Sequence, residues 1–582
     1  MSTSPFTAAL AAAIARATSQ DPAEVAKSIA VPKDPKMGDL AYPCFALQKA
    51  FGKPPPAIAK EAVAAFAGPE YAQWTALFAS IQAAGPFINA RVAPKPYAEL
   101  VLGEVRARGE RYGGSDEGAG RAVPIDYSSP NIAKRFHAGH LRSTVIGGAL
   151  YRIYAALGYK PIGINHLGDW GTQFGHLMSA WQKWGGDEAK LAADPIGYLQ
   201  ELYVRHNQEA KKDPKFDDEA RLWFKKLEDG DPLARELWQR FRDLSLADFK
   251  KTWDLLGTRH DSVAGESFYE DKMPEAIRLC TEKGIAEESQ GALIVDFKKH
   301  GVDIAEPMLL RRKDGGTLYA TRDIAAAIYR FRTYDPAKLV YVIGREQELA
   351  MRQLFAALTL LGFPGDRCVH VSFGRVLGMS TREGTAILLD EVLGRAIKLA
   401  RGLVVEQNQK LGRTMTDAEV DAIAEKVGVG SVIFADLKNR RILDFDFDWD
   451  RFIRLDGDTG AYLQYTHARL TSVLRELGEL GVDPAAPFDG ALLGEPEAVA
   501  VLKAIEAYPR TIQQAAADSE PSVVAKHLLD LAGAFNGFYN KHHVKNAPTP
   551  ELRAARAALV AATRAVLRNG LGLLGIEAPD RM

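Results

Sequence analysis

Cysteine is scarce: Cys44, Cys280 and Cys368 are the whole complement of a 582-residue chain, and they lie far apart. Three dispersed thiols make neither a disulfide framework nor a four-thiolate zinc site, so they read as buried thiols in a reducing compartment. Long apolar runs are missing as well. No stretch reaches the roughly 18 to 20 consecutive apolar residues of a membrane span, and the opening MSTSPFTAALAAAIARATSQ lacks the basic start and apolar centre of a secretory signal. Cytoplasm is the expected location, with no membrane partner. Nor is there an excess of one charge. With 73 Lys+Arg against 74 Asp+Glu the net charge is -1, so a nucleic-acid partner would have to meet local basic surfaces rather than a global field. The lack of low-complexity tracts and of a regular period removes disordered, collagen-like and solenoid classes.

What is present is an ordinary globular composition, 47% hydrophobic and 25% charged, on a chain too long for one core. Residues 1 to 115 read as a small α+β module, with helical patterns over Phe6 to Ala17 and Ile58 to Phe66, a strand in GPFINARV and a closing helix from Tyr97. The polar, Gly-rich run Arg111 to Arg121 is the linker. AVPIDYSS, from Ala122, then gives a strand, a polar turn, a long helical pattern and a second strand, YKPIGINHL. That order is a βαβ unit of a parallel sheet. A charged, Trp-rich helical insertion spans about 185–260, and strand candidates return at ALIVDF, KLVYVIG and CVHVSFGRV. The fold class expected for 116–384 is α/β, a split doubly wound Rossmann-like sheet. From about Thr385 the pattern is helical, with a connecting region over 385–455 and a terminal bundle over 456–582. From Lys541 onward seven Lys/Arg face three Asp/Glu, a local +4 that fits a solvated face and an RNA-facing surface equally.

The turn after AVPIDYSS is where chemistry concentrates. A helix N-terminus presents free N–H groups and the positive end of its dipole, which favours phosphate. Asn131, Lys134, His137 and His140 precede it, and Gly139 removes a side chain where a ligand would approach the backbone. His137 and His140 lack a third metal-ligating neighbour, so no metal site is expected. On their own these residues fit an ordinary polar turn as well.

The string DYSSPN-IAKRF-HAGH-LRSTVIGG from Asp126 resembles the HIGH signature of class I aminoacyl-tRNA synthetases in the extended form of the arginyl enzymes. NHLGDWGTQFG, LYATRDIAAAIYR, YVIGREQ, GRVLGMSTREG, GAYLQYTHARL and the closing LLGIEAPDRM follow in the family's order, so the resemblance covers nearly the whole chain. It implies activation of L-arginine by ATP, with Mg²⁺ accompanying the nucleotide and no tightly bound cofactor, then transfer to tRNA(Arg). It implies too that activation waits for tRNA, and that the enzyme is a monomer. The N-terminal module would meet the tRNA elbow, and 456–582 the anticodon.

The resemblance assigns ATP to His137, Gly139, His140, Met379 and Ser380, and the arginine pocket to Asp126, Asn131, Tyr319, Asp323 and Gln347. A planar guanidinium calls for paired carboxylate contacts. Asp323 is accordingly placed on the guanidinium, with Asp126 and Asn131 nearer the α-amino end. Tyr319 and Asp323, four apart on a helix, are expected to share a face. Tyr462, Gln464, Tyr465 and Arg469, with Tyr539 and Lys541, fit tRNA contacts, although Tyr462 and Tyr465 fit core aromatics equally.

Two departures qualify this reading. In GMSTREG, Gly378 and Thr381 stand where KMSK has lysines, so Lys134 with Arg382 is expected to supply the missing positive charge. After Gln347, Ala350-Met351 replaces a His-Phe pair, which puts a nucleotide contact from that helix in doubt. Two rivals stay open: an HxGH nucleotidylyltransferase, usually far shorter, and a non-catalytic RNA-binding relative. A hydrolytic editing domain is not expected, because the insertion is short and charged.

Overall fold

The computed structural model describes residues 4–313, 315–377, 387–449 and 452–582. At the N-terminus, helix α1 (Pro5–Thr18) starts where the Ser4 hydroxyl accepts the Thr7 N–H and proline occupies the first turn. With α2 (Pro55–Ala65) and α3 (Pro94–Arg108) it packs around an antiparallel sheet of β1 (Leu40–Pro43), β2 (Phe78–Ala84) and β3 (Phe87–Val92), in the order β1-β3-β2. This module rests on the C-terminal helices. The Tyr112 hydroxyl donates to the Ile505 carbonyl at 2.9 Å, and Lys503 pairs with Asp39 at 2.7 Å.

The parallel sheet contains β4 (Ala122–Asp126), β5 (Lys160–Ile164), β9 (Leu339–Tyr341) and β10 (Cys368–His370), in the order β10-β9-β4-β5. Helix α4 (Leu141–Ala156) makes the crossover from β4 to β5. A Cβ at Gly147 on α4 would fall 2.3 Å from the Tyr127 ring, so only glycine lets helix and strand end approach this closely. Asp126 aligns with Ile164 on one side and Tyr341 on the other, which sets the carboxyl ends of β4, β5 and β9 at one edge. Ligands of open α/β sheets bind in the crevice beyond that edge, where strand order reverses.

ALIVDF is a strand but not one of this sheet. It forms β7 (Ala292–Val295), paired antiparallel with β6 (Ala286–Ser289) and β8 (Met308–Arg311) in a separate small sheet. A short apolar run does not say which sheet will cover it, and here close antiparallel neighbours do.

Helix α5 (Thr172–Trp184) leads into the insertion, which is built from α6 (Pro195–Ala210), α7 (Lys215–Glu228) and α8 (Pro232–Leu255). Beyond it come α9 (Tyr319–Tyr334), which leads into β9, and α10 (Glu348–Leu361). Helices α11 (Leu389–Lys410) and α12 (Asp417–Leu437) join the sheet domain to a bundle of α13 (Gly460–Glu479), α14 (Pro496–Asp518), α15 (Ser522–Lys541) and α16 (Pro550–Leu574). By length and mean hydropathy, 1.2, α16 could cross a membrane, yet 61% of that window is buried inside the bundle, so it serves as a core helix. All three cysteines are free and buried, and burial pushes the Cys280 and Cys368 thiols up to about 12.

Candidate active site

A cavity of about 340 Å³ opens at the carboxyl edge of the parallel sheet. Its floor is charged. Asp126, at the end of β4, pairs through Oδ2 with the Arg330 guanidinium at 2.8 Å and accepts the Ser129 hydroxyl on Oδ1 at 3.2 Å. Arg330 is 1% exposed and lies over the Tyr341 ring at 5.4 Å and the Tyr269 ring at 6.0 Å. From α9, Asp323, Ala326 and Arg330 face the cavity, at the i, i+3, i+7 spacing of one helix face. Asp323 sits in the second turn of that helix and is not its N-cap.

Two of the acids lack a full counter-charge. Burial, then the neighbouring Asp126, pushes the Asp323 carboxyl up to about 7 against the pull of Arg330 and Arg322. Burial likewise raises Glu266 to about 7, with Arg322, 3.5 Å away, as its opposing cation. Folding has thus concentrated carboxylates around a space that a cation would neutralise.

The histidine turn contributes Gly139 and His140 to the same lining. His137 caps a short 3₁₀ turn, Ala138–His140, its Nδ1 accepting the Gly139 N–H at 3.1 Å, while His140 Nδ1 accepts the His137 N–H at 3.3 Å. With both Nδ1 atoms acting as acceptors, each neutral ring carries its proton on Nε2. Burial lowers both imidazoles, His140 to about 3, and His140 stacks on Phe136 at 5.0 Å. The pair is therefore neutral at physiological pH, with one N–H donor per ring. Ala138 N–H donates to the Ile387 carbonyl at 2.9 Å, so the chain that follows GMSTREG is anchored against this turn.

Residues 104–449 match the family described as tRNA synthetases class I (R), catalytic domain. Residues 5–92 match the arginyl tRNA synthetase N terminal domain, and 463–582 the DALR anticodon binding domain. The chain belongs to the class I arginyl-tRNA synthetases. It is 45% identical over 564 residues to the arginine–tRNA ligase of Ligilactobacillus salivarius (strain UCC118), covering 96% of both chains. The Clostridioides difficile (strain 630) ligase is 44% identical over 564 residues, again with 96% of both covered. Among solved structures, the Thermus thermophilus arginyl-tRNA synthetase superposes with a TM-score of 0.79 at 26% identity, over 99% of each chain. The Plasmodium falciparum arginyl-tRNA synthetase shares the fold, TM-score 0.77 at 21% identity, over 100% of this chain and 99% of that one.

Of the residues expected from sequence, Asp126, Asn131, Gly139, His140, Asp323 and Gln347 line the cavity, with the exposed Asn131 and Gln347 at its rim. Asn131 fits because Gly168 faces it: a Cβ there would fall 2.1 Å from Asn131 Oδ1. His137 and Lys134 belong to the same turn but do not line the cavity, and Lys134 is exposed. Tyr319 departs from expectation. As the first residue of α9 it is 62% exposed and does not share the cavity wall with Asp323. Met379, Ser380 and Arg382 lie outside the described residues. Met351, at the His-Phe departure, does reach the cavity.

Glu266, Arg330 and His166 are cavity residues that sequence reasoning missed. Glu266 follows a loop after the insertion, and nothing in its local pattern marks it. Arg330 had a signal, being seven residues after Asp323 on a helix.

In the bundle, the Arg469 guanidinium lies 4.3 Å over the Tyr539 ring, and the Tyr462 hydroxyl accepts from Asn536 at 2.7 Å, joining α13 to α15. Lys541 is exposed and paired with Glu497 at 2.5 Å, and Tyr465 is half-buried near Gln407. Gln464 is corrected. It is 0% exposed, and its amide donates to the Lys426 and Glu577 carbonyls at 2.9 and 2.8 Å, so it ties the chain's end to α12 and presents nothing to RNA.

Proposed function

We propose that the chain is an arginine–tRNA ligase whose acidic cavity selects the guanidinium of L-arginine while the histidine turn receives ATP. The observation that carries this is the pair Asp323 and Glu266, both raised to about 7 by burial and both facing the cavity. A bound guanidinium supplies the missing positive charge and satisfies both carboxylates. A neutral analogue leaves Asp323 buried without a ligand's charge and Glu266 with Arg322 alone, a penalty large enough to make editing unnecessary.

Attack of the arginine carboxylate on the α-phosphate forms arginyl-adenylate and releases pyrophosphate, and it needs positioning and charge neutralisation rather than a protein nucleophile. In this reading Asp126 and Asn131 meet the α-amino end, and Gln347 closes the rim. His137 and His140 donate from Nε2–H to phosphate oxygens without adding charge. Lys134, with Arg382 of the GMSTREG segment, neutralises the β- and γ-phosphates, and Gly139, Met379 and Ser380 border the nucleotide. Mg²⁺ arrives on the phosphates. Tyr319, exposed at the start of α9, takes no part in the pocket in this reading.

The same reading divides the chain into an elbow-binding module over 1–115, the catalytic domain over 116–384, a connecting region over 385–455 and the anticodon-binding bundle over 456–582. Arg469, Tyr539, Tyr462, Tyr465 and Lys541 form the tRNA strip. The enzyme acts as a cytoplasmic monomer. Arginine-dependent ATP–pyrophosphate exchange, run with and without tRNA(Arg) and with lysine as control, tests the proposal. Exchange with arginine alone among the two amino acids, and only when tRNA is present, is the expected result. Exchange without tRNA removes the coupling, and none in either condition from a folded, tRNA-binding protein leaves a non-catalytic RNA-binding relative.

A further inference from the structure

Helix α8 runs along the back of the site and touches it through one stripe. Trp238, Arg242, Ser245, Phe249 and Trp253 are spaced 4, 3, 4 and 4 apart, a single helix face. Each contacts a loop that carries site residues. Trp238 Nε1 donates to the Asp169 carbonyl at 2.7 Å and Arg242 Nε to Asp169 Oδ2 at 3.0 Å. The buried Asp169 carboxylate also takes the Ser267 N–H at 2.8 Å, which fixes the backbone beside Glu266. Further along, the Ser245 hydroxyl accepts the Ala133 N–H at 3.1 Å, Phe249 packs on Phe136 at 5.7 Å, and Trp253 Nε1 donates to Ser128 Oγ at 2.8 Å.

Ser128 and Ala133 are the residues of the turn from 127 to 140 that adopt left-handed backbone, φ 54° and 57°. Neither is glycine, and Ala133 has only a methyl group and no polar side chain to compensate, so this conformation persists only where surrounding groups enforce it. Both residues are bonded to side chains of α8. Ala133 separates Asn131 from Lys134, so its backbone decides where the rim residue and the lysine of the phosphate side stand.

We propose that Ser245 is a positioning residue for arginine activation: it holds Ala133 left-handed, and through it α8 splints the histidine turn. Ser245 is 0% exposed, and its own hydroxyl hydrogen goes to the Phe241 carbonyl at 2.8 Å, which leaves the oxygen free to receive Ala133. The role makes the insertion a brace of the active site. It rests on the reading of the site as an arginine-activating centre.

The test is a comparison of S245A, A133G and the double variant in tRNA-supported, arginine-dependent pyrophosphate exchange. S245A is expected to lower kcat about tenfold, about 1.4 kcal/mol of barrier. Glycine takes φ near +57° without the penalty that alanine meets, so A133G in the S245A background is expected to restore at least about threefold of that loss. A purely structural serine would give no such rescue. S245A with wild-type kcat overturns the proposal, as does a double variant no better than S245A. Should S245A fail to fold, S245C, which keeps the size with a weaker acceptor, is compared with A133G/S245C under the same criteria. Absence of exchange in the wild type would instead overturn the functional reading, so the two failures are distinguishable.

Discussion

The cavity and the C-terminal bundle both hold polar side chains of the kinds that recognise substrates, yet the fold treats them oppositely. In the bundle, Gln464 and His467 are 0% exposed and bonded to main-chain carbonyls at 2.8 to 2.9 Å, so their polarity holds helices and the chain's end together. In the cavity, Asp323 and Glu266 are crowded by like charge and raised to about 7. Residue type therefore does not mark function. A buried charge held short of its counter-charge is the better pointer, because on the proposed reading the protein bears that electrostatic cost until arginine relieves it.

The largest expected effect comes from removing that charge. Asp323→Asn is expected to lower kcat/KM for arginine about a thousandfold, ~4 kcal/mol, while raising stability at pH 8 by about 1 kcal/mol. The sign follows from the folded carboxyl lying near 7, above its ordinary 3.8. The folded state disfavours the ionised form, so stability is lost as pH rises from about 4 to about 7, and the amide abolishes that loss. Denaturant melts beside steady-state exchange decide it, and a destabilised Asp323→Asn would break the comparison.

Lys134→Ala comes next, expected to slow adenylate formation tenfold or more. A rate within about twofold of wild type, less than ~0.5 kcal/mol, would remove the lysine from the phosphate side. A third prediction concerns pH. If Asp323 and Glu266 meet the guanidinium as proposed, both must be ionised, and KM for arginine should rise as pH falls below about 7, up to about tenfold per unit for each carboxyl that must lose its proton. A flat KM between pH 6 and 8 would mean that neither acid meets the guanidinium. The smallest effects test the bundle. Gln464→Ala should lower the melting temperature by a few degrees, on the order of 1 kcal/mol, with KM for tRNA unchanged. Arg469→Ala should do the reverse, raising KM for tRNA about threefold with little change in melting.

Much of the site was legible because local chemistry writes local sequence. The βαβ unit around β4, the histidine turn and the α9 carboxylate all sit in continuous strings whose spacing matches their elements. The illegible part is assembled from distant segments. Glu266 reaches the cavity from beyond the insertion, Tyr319 turns out to the solvent, and Gln464 turns into the core. Helical spacing fixes which residues share a face but not which way that face looks.

By itself, then, the sequence determined the α/β catalytic domain with its helical bundle, the histidine turn and the acidic character of the pocket. The first two follow from periodicity and turn chemistry, properties of neighbouring residues, and the pocket's acids from the family resemblance that the motif order carries. Only the tertiary structure decided that Asp126 pairs with Arg330, that Glu266 joins Asp323, and that α8 braces Ser128 and Ala133. Those depend on burial and on contacts between segments far apart in the chain, where desolvation sets the value of each charge.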